Sequence, residues 1–421
     1  MTSAPLSSRR PLPHWELIAL LAACMALNAA AIDIVIPAMS NIGSALDIQD
    51  ENSRQFVITA YILGAGGAQI FYGSLADRFG RRPVLLAGLS IYTAASIAAM
   101  FAPTFGALLA LRAVQGIGAA STRVIATAIV RDLFDGRRMA SVMSIIMMIF
   151  MVVPILAPNI GTLVLLFGNW REIFLLMVTM GIVALVWSAM RLPETLRPED
   201  RRPLTVSSVA GAFRAVLGNR MALGYVMGTA LFFGVLFAFI NQAEQIYTGV
   251  YGLGPEFTLY FSAVAILMSG VAFVNSRLVE RIGTRKLSHG ALVAFFAFSA
   301  VHLGVALFFG GAAPFPVFLG LFSCAFCMFG LIGTNMNALA MEPLGHVAGT
   351  ASAILGFTQM VLGGLIGAAI AFLYDGTMIP ILVGYVVLPL LALGCAWWAE
   401  GGALFRSRNA PVAQRQEAAA E

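Results

Sequence analysis

The sequence predicts an all-α membrane protein, with twelve transmembrane helices in two pseudo-symmetric six-helix bundles. Three observations carry that prediction: an apolar composition, an alternation of loop charge, and a ten-residue loop that occurs twice. Of the 421 residues, 60% are hydrophobic and only 11% are charged, and the mean hydropathy is +0.89. A water-soluble domain is about 45–50% apolar and about 25% charged. This chain has too few charges to cover a surface in water, so it needs lipid as its solvent. A helix crosses a bilayer with roughly 20 apolar residues, and lipid-exposed backbone must be hydrogen-bonded within its own segment. A transmembrane barrel would read as short alternating strands. Here the apolar runs are long and unalternated, which selects helices.

Taken in order, the runs place spans at 15–37, 55–73, 83–101, 105–127, 139–163, 172–190, 221–247, 257–276, 287–309, 314–340, 346–374 and 378–399. The first follows Arg9 and Arg10, as a signal peptide would. It is about 22 residues long, carries Asn28 and Asp33, and is closed by Pro37, which is too long and too polar for a cleaved segment. Pro103 marks the break between spans 3 and 4, and Gly310, Gly311, Pro314 and Pro316 mark the one between spans 9 and 10. Residues 191–220, rich in Pro and Arg, read as a linker between bundles at 15–190 and 221–400, with a short surface helix near 205–217. Residues 1–14 form an N-terminal segment, and the polar tail 401–421 reads as disordered.

The net charge of +5 rests on 24 Arg and one Lys. Twenty-one of these basic residues fall in alternate loops and the two ends, from Arg9 through the loops holding Arg78, Arg131, Arg191 and Arg277 to Arg415. The opposite loops hold two, Arg54 and Arg171, beside acids such as Asp47, Asp50 and Glu256. Basic loops stay in the cytoplasm, so both termini are expected there. No Lys/Arg block interleaved with aromatics points to nucleic acid. Cys24, Cys324, Cys327 and Cys395 all lie in apolar runs. Cys324 and Cys327 have the spacing of a metal pair, but no second pair and no neighbouring His, so they read as small residues one turn apart. Neither a metal nor a cofactor is expected.

The loop after span 2 reads Gly73-Ser-Leu-Ala-Asp77-Arg78-Phe-Gly80-Arg81-Arg82, and the loop after span 8 reads Ser276-Arg-Leu-Val-Glu280-Arg281-Ile-Gly283-Thr-Arg285. They align without gaps at an offset of 203 residues, as a six-plus-six duplication requires. The chemistry suits a conformational hinge. Gly73 would let two helices approach closely, Gly80 would permit a tight turn, and Asp77 at a helix end would pair with Arg or face a neighbouring helix N-terminus.

The Gly73–Arg82 string resembles the signature loop of the major facilitator superfamily. Leu111-Arg112-Ala-Val-Gln115-Gly116-Ile-Gly118 in span 4 is similar to that family's span-4 motif with a buried Arg. Pro154-Ile-Leu-Ala157-Pro158-Asn-Ile-Gly161 is similar to the span-5 Gly-Pro motif of its antiporters, with Ala157 where many members have Gly. That variant, Asp33-Ile-Val-Ile-Pro37-Ala in span 1 and Gly349-Thr-Ala-Ser-Ala in span 11 resemble the bicyclomycin/chloramphenicol-resistance (Bcr/CflA) type. The resemblance implies proton-driven export of small, mostly apolar drugs or antibiotics by a monomer in the bacterial inner membrane. Its partners would be protons, the substrate and lipid. Gly161 and the two prolines would let span 5 pack tightly against the other half and seal a leak path.

Ionisable groups inside a bilayer are costly and mark function. Asp33 lies four residues before Pro37, about 6 Å from the expected outer end of span 1, and Arg112 lies roughly 10 Å below the start of span 4. The two are expected at similar depth. Burial favours a neutral carboxyl and a nearby Arg favours the charged one, so Asp33 is the expected proton carrier with Arg112 tuning it. The competing readings are a structural ion pair and an Asp33 already in water at the membrane edge. Arg123, in the inner half of span 4, fits either an anionic group in the cavity or a side chain snorkelling to water. Asn241 and Gln245 share a face of span 7 with Gln242 nearby, and Glu244 between them is a second proton or cation candidate or a group at the membrane edge. Asn28, Gln115, Asn335 and Gln359 complete the set of polar cavity candidates. The remaining functional alternatives are export of an endogenous metabolite or siderophore, proton symport, and an integral-membrane enzyme. The last lacks a catalytic constellation: His14, His289, His302 and His346 are scattered, and no Walker-type loop is present.

Overall fold

The computed structural model describes residues 12–201 and 206–405. Among them are twelve helices long and apolar enough to cross a membrane, one for each expected run. They are span 1 (His14–Ala45), span 2 (Glu51–Phe79), span 3 (Arg81–Met100), span 4 (Phe105–Leu133), span 5 (Ser141–Phe167) and span 6 (Trp170–Arg191). After the linker come span 7 (Arg220–Val250), span 8 (Phe257–Ile282), span 9 (Thr284–Phe308), span 10 (Phe315–Leu344), span 11 (Thr350–Phe372) and span 12 (Ile379–Ala399). The chain is a multi-pass membrane protein. Large apolar side chains such as Phe167, Phe273 and Phe308 stand exposed on its flanks, as contact with lipid tails requires.

Local chemistry sets the ends of the helices. The Thr104 hydroxyl accepts the Ala107 N–H at 3.3 Å and caps span 4. Asn169 and Glu172 form a capping box at the start of span 6. Gly80 (φ 105°, ψ 157°) and Gly283 (φ 88°, ψ 146°) turn the chain after spans 2 and 8 in the same backbone conformation, one that a Cβ disfavours. The sequence repeat is therefore also a repeat of turn geometry.

Span 1 differs from expectation. Pro37 does not close it. The helix His14–Asp33 passes through a short 3₁₀ turn, Ile36–Ala38, and resumes as Met39–Ala45. Pro37 sits in the first turn of that segment, where its missing N–H leaves no gap. The span therefore runs about 18 Å beyond Asp33 at 1.5 Å per residue, three times the expected depth.

Spans 1–6 pack on one another, as do spans 7–12, and the two groups meet along spans 2 and 11 and along spans 5 and 8. The linker carries a helix at Val206–Gly218, close to the expected range, with Phe213 edge-on to Phe357 of span 11 at 6.4 Å. The disorder expected from 401 does not begin there: Phe405 donates its N–H to His289 Nδ1 at 3.2 Å and sets its ring edge-on to the imidazole. Residues 406–421 and 1–11 lie outside the described residues.

The face bearing Leu12 and Phe405, the first and last of the described residues, is here the terminal face, and the opposite one the far face. Among the described residues, the hydrogen bonds between the two groups lie on the far side of the molecule, at Ser40, Asn52, Thr59 and Asn159. Spans 2 and 11 stay close as far as Gly66 and Gln69, where a Cβ on Gly66 would strike Met360 and Val361 and one on Gly356 would strike Gln69. Beyond, the gap opens: a Cβ on Gly73 would meet nothing within 4 Å. Gly73 therefore does not mediate the close helix contact expected of it in this state. The molecule is closed on the far face and parted on the terminal face. Gly66→Val is expected to wedge spans 2 and 11 apart. Reagent access to a cysteine placed at Thr59 should then rise; unchanged access would show that the contact yields without opening.

Candidate transport site and gates

Close helix approach builds the centre of the first bundle. A Cβ on Gly64 would strike the Ala113 carbonyl, and one on Gly116 the Tyr61 carbonyl. Spans 2 and 4 thus touch backbone to backbone, which brings Arg112 into the bundle core, fully buried. Its Nε donates to the Val57 carbonyl at 3.1 Å, Nη2 to the Ala31 carbonyl at 2.9 Å and Nη1 to Gln115 Oε1 at 2.5 Å. The guanidinium also stacks over the Tyr61 ring, 4.6 Å from its centroid.

The bond to Ala31 brings Arg112 level with the Asp33 region of span 1, as the sequence arithmetic expects. No ion pair forms, however. Asp33 is 5% exposed, and among the described residues it has neither a hydrogen bond nor a salt bridge. In place of the structural ion pair, each nitrogen of the Arg112 guanidinium bonds a main-chain carbonyl or the Gln115 amide oxygen. Asp33 is left as a buried carboxyl with no counter-ion among the described residues.

The other candidates separate. Gln115 does not line a cavity: its amide donates to Ser96 Oγ at 2.6 Å and to Met177 Sδ at 3.3 Å while its oxygen holds Arg112, so it ties spans 3, 4 and 6. Asn28 accepts from Tyr61 Oη at 2.9 Å, against span 2. Asn335 bonds Asn275 Oδ1 of span 8 at 2.8 Å and is 4% exposed, so it joins spans 8 and 10. Gln242 is fully buried and bonds the Ala371 carbonyl at 3.0 Å. For all four the face that turns inward packs on a neighbouring helix, and sequence spacing does not reveal which face that is. Gln359 donates to Asn337 Oδ1 at 2.5 Å, pairing spans 11 and 10. Arg123 is exposed in the half of span 4 nearer the terminal face, with Thr127 exposed one turn on, where a parted terminal face admits water. Asn241, Glu244 and Gln245 sit in the far-face contact between the bundles.

Gly161 also departs from expectation. A Cβ there would strike the Ile34 carbonyl and Pro37, both on span 1 of its own bundle. The cross-bundle contact of the Pro154–Gly161 segment is made instead by Asn159 and the Ile155 carbonyl, which bond Ser262 Oγ at 2.6 Å each. Ala157 and Pro158 are buried beside them.

On the terminal face the repeated loops are tied down by acids the motif does not contain. Arg81 bonds Asp77 at 2.5 Å and Asp132 at 2.9 Å, Arg82 bonds the Ala189 carbonyl at 2.7 Å, and Glu194 accepts the N–H groups of Arg81 and Arg82. In the second bundle Arg285 bonds Glu342 at 2.9 Å and Glu400 at 2.7 Å. Glu400 also accepts from Tyr225 Oη, which meets His289 Nε2 at 3.0 Å. Arg78, Glu280 and Arg281 are exposed or half-exposed, and Arg78 lies over the Phe79 ring. Glu280 does not repeat the pairing of Asp77, because Thr284 stands where Arg81 follows Asp77 by four residues. Acids embedded in an Arg-rich face were the available signal for Asp132, Glu194, Glu342 and Glu400.

Residues 18–368 match the model of the Major Facilitator Superfamily. The chain is 30% identical over 379 residues to a bicyclomycin resistance protein homolog of Haemophilus influenzae, covering 86% of this chain and 91% of that one. It is 29% identical over 399 residues to the multidrug resistance protein MdtL of Escherichia fergusonii, covering 94% and 96%. Among solved structures, a partially occluded inward-open xylose transporter XylE of E. coli superposes with a TM-score of 0.72 over 94% of this chain and 99% of the other, at 13% identity. A bacterial homolog of the lysosomal transporter Spinster, in an inward-facing occupied conformation, gives 0.71 over 93% and 98%, at 14% identity. At those identities the likeness is one of fold. The chain is a membrane transporter, not an enzyme, and it belongs to the major facilitator superfamily, among the members of bicyclomycin-resistance type.

Proposed function

We propose that this transporter exports small, mostly apolar compounds, drugs and antibiotics among them, in exchange for protons. The terminal face is cytoplasmic by its excess of Arg, in the inner membrane of a bacterium, and the two bundles rock as a monomer about a central site without a cofactor. The observation that carries the reading is Asp33, a carboxyl enclosed in span 1 with no counter-ion among the described residues. An isolated ionised carboxylate is costly in such a place, so the group exchanges a proton as its surroundings open to either side. Protonation then alternates with substrate binding. The names of the two resistance relatives support the substrate class.

The test uses everted vesicles holding a proton gradient. Adding a transported compound is expected to dissipate part of the gradient, in proportion to the amount of protein. A panel of apolar antibiotics and dyes that leaves the gradient untouched would refute exchange with protons. Acidification coupled to substrate movement in the other direction would make the chain a symporter.

A further inference from the structure

The seal on the far face is polar and incompletely satisfied. Ser40 Oγ of span 1 donates to Glu244 of span 7. Thr59 donates to Asn241 at 3.4 Å, and Asn52 donates to the carbonyls of Phe372 and Tyr374 at 3.1 and 2.8 Å and accepts from Gln245 at 3.1 Å. Around these bonds Arg54 Nε, both polar atoms of the Gln55 side chain, Asn241 Nδ2, and Oε1 of Gln242 and Gln245 are buried with no hydrogen-bond partner. Each such group is less favourable than in its hydrated form. Parting the bundles on this face gives water back to those that lie in the contact. These unpartnered groups weaken the closed seal, so a change of charge within it bears on closure.

Glu244 is the carboxyl in that contact, half-buried beside its Ser40 partner. The charged and titratable groups facing it are Arg54 and Glu51 from the turn before span 2 and Tyr374 from the end of span 11, itself beside Asp375. Arg54 turns to Glu51, 3.4 Å away, and no cation lies within 4.0 Å of Glu244 among the described residues. Its partner in the seal is one neutral hydroxyl. Holding an ionised carboxylate partly out of water on those terms is costly, whereas a neutral carboxyl keeps the Ser40 bond without that cost.

We propose that Glu244 is a second proton site, belonging to the far-face gate, and that the gate closes when Glu244 has taken up a proton from the far side. The proton is enclosed on closure and returns to the same side on reopening. Glu244 therefore sets the balance between the two states of the carrier and does not carry charge across. The proposal rests on alternating access and is independent of the role given to Asp33.

The experiment places spin labels at Phe167 and Phe309, exposed at the far-face ends of spans 5 and 9, in full-length protein whose four cysteines are serine, reconstituted in lipid. Distances between the labels are compared at about pH 8 and about pH 5.5, a range that brackets the titration of a shielded carboxyl. The background is Asp33→Asn, which removes the buried carboxyl of span 1. Acidification is expected to raise the short-distance, far-side-closed population in that background. Adding Glu244→Gln should leave the closed population high at both pH values, and Glu244→Asp should restore the response. A response that survives Glu244→Gln, or no response in the Asp33→Asn background, overturns the proposal. Failure of the Asp33 reading would appear in the vesicle assay and leave this distance measurement unchanged.

Discussion

Asp33→Asn should reduce substrate-dependent proton movement to the level of empty vesicles while the protein stays folded. The side chain keeps its shape and its place 5% exposed in span 1, but it no longer binds and releases a proton. Because Asp33 has no bonded partner among the described residues, replacing it leaves no opposite charge stranded. The usual loss of about 3–5 kcal/mol on breaking a buried pair does not apply. The melting temperature should stay level or rise, which separates loss of coupling from loss of structure. Exchange of labelled substrate across a membrane without a proton gradient should persist in the variant, since binding and rocking remain. Asp33→Glu should recover part of the coupled flux. Full drug-driven proton release by Asp33→Asn would remove Asp33 from the proton path.

The twelve spans were legible because the bilayer reduces the folding problem to run length and loop charge. The hinge loops were legible because a glycine at positive φ leaves a mark in sequence: Gly80 and Gly283 align, and they share a backbone conformation. What was illegible depends on rotation about a helix axis. Gln115 and Asn335 were marked as polar groups in apolar runs, and so they are, but which neighbour they meet is fixed by the helix crossing and not by spacing. The depth of Asp33 was misjudged for a local reason. A proline at the first turn of a helical segment and a proline that ends one look alike in sequence, and Pro37 is the former. The partners of the hinge arginines were missed because Asp132, Glu194, Glu342 and Glu400 come from segments distant in the chain. Their common feature, acids on a face otherwise rich in Arg, becomes informative only when the face is read as one surface.

Loss of Arg112 should cost far more stability than loss of Asp33 or Glu244, and the pattern of coupling should show what the residue serves. Arg112→Met leaves the Gln115 oxygen without its donor and removes the guanidinium from the Val57 and Ala31 carbonyls, at a fully buried position. Unpairing one side of such a buried charged network costs about 3–5 kcal/mol. Arg112→Lys keeps the charge but not the planar fork, and one ammonium cannot reach three acceptors on spans 1, 2 and 4, so its stability should fall between. A sequence-level reading pairs Arg112 with Asp33, and the observed bonds pair it with Gln115. These make opposite predictions in double-mutant cycles followed by thermal unfolding. If Arg112 holds Gln115 and the helix carbonyls, then Arg112→Met and Gln115→Leu should couple by about 0.5–3 kcal/mol, while Arg112→Met and Asp33→Asn should add nearly independently. If Arg112 serves instead to balance the charge of Asp33, neutralising both should recover much of the stability lost on removing Arg112 alone. The three bonds of the Arg112 fork favour the first outcome: they fix where spans 1, 2 and 4 meet and leave Asp33 beside them without an ion-pair partner among the described residues.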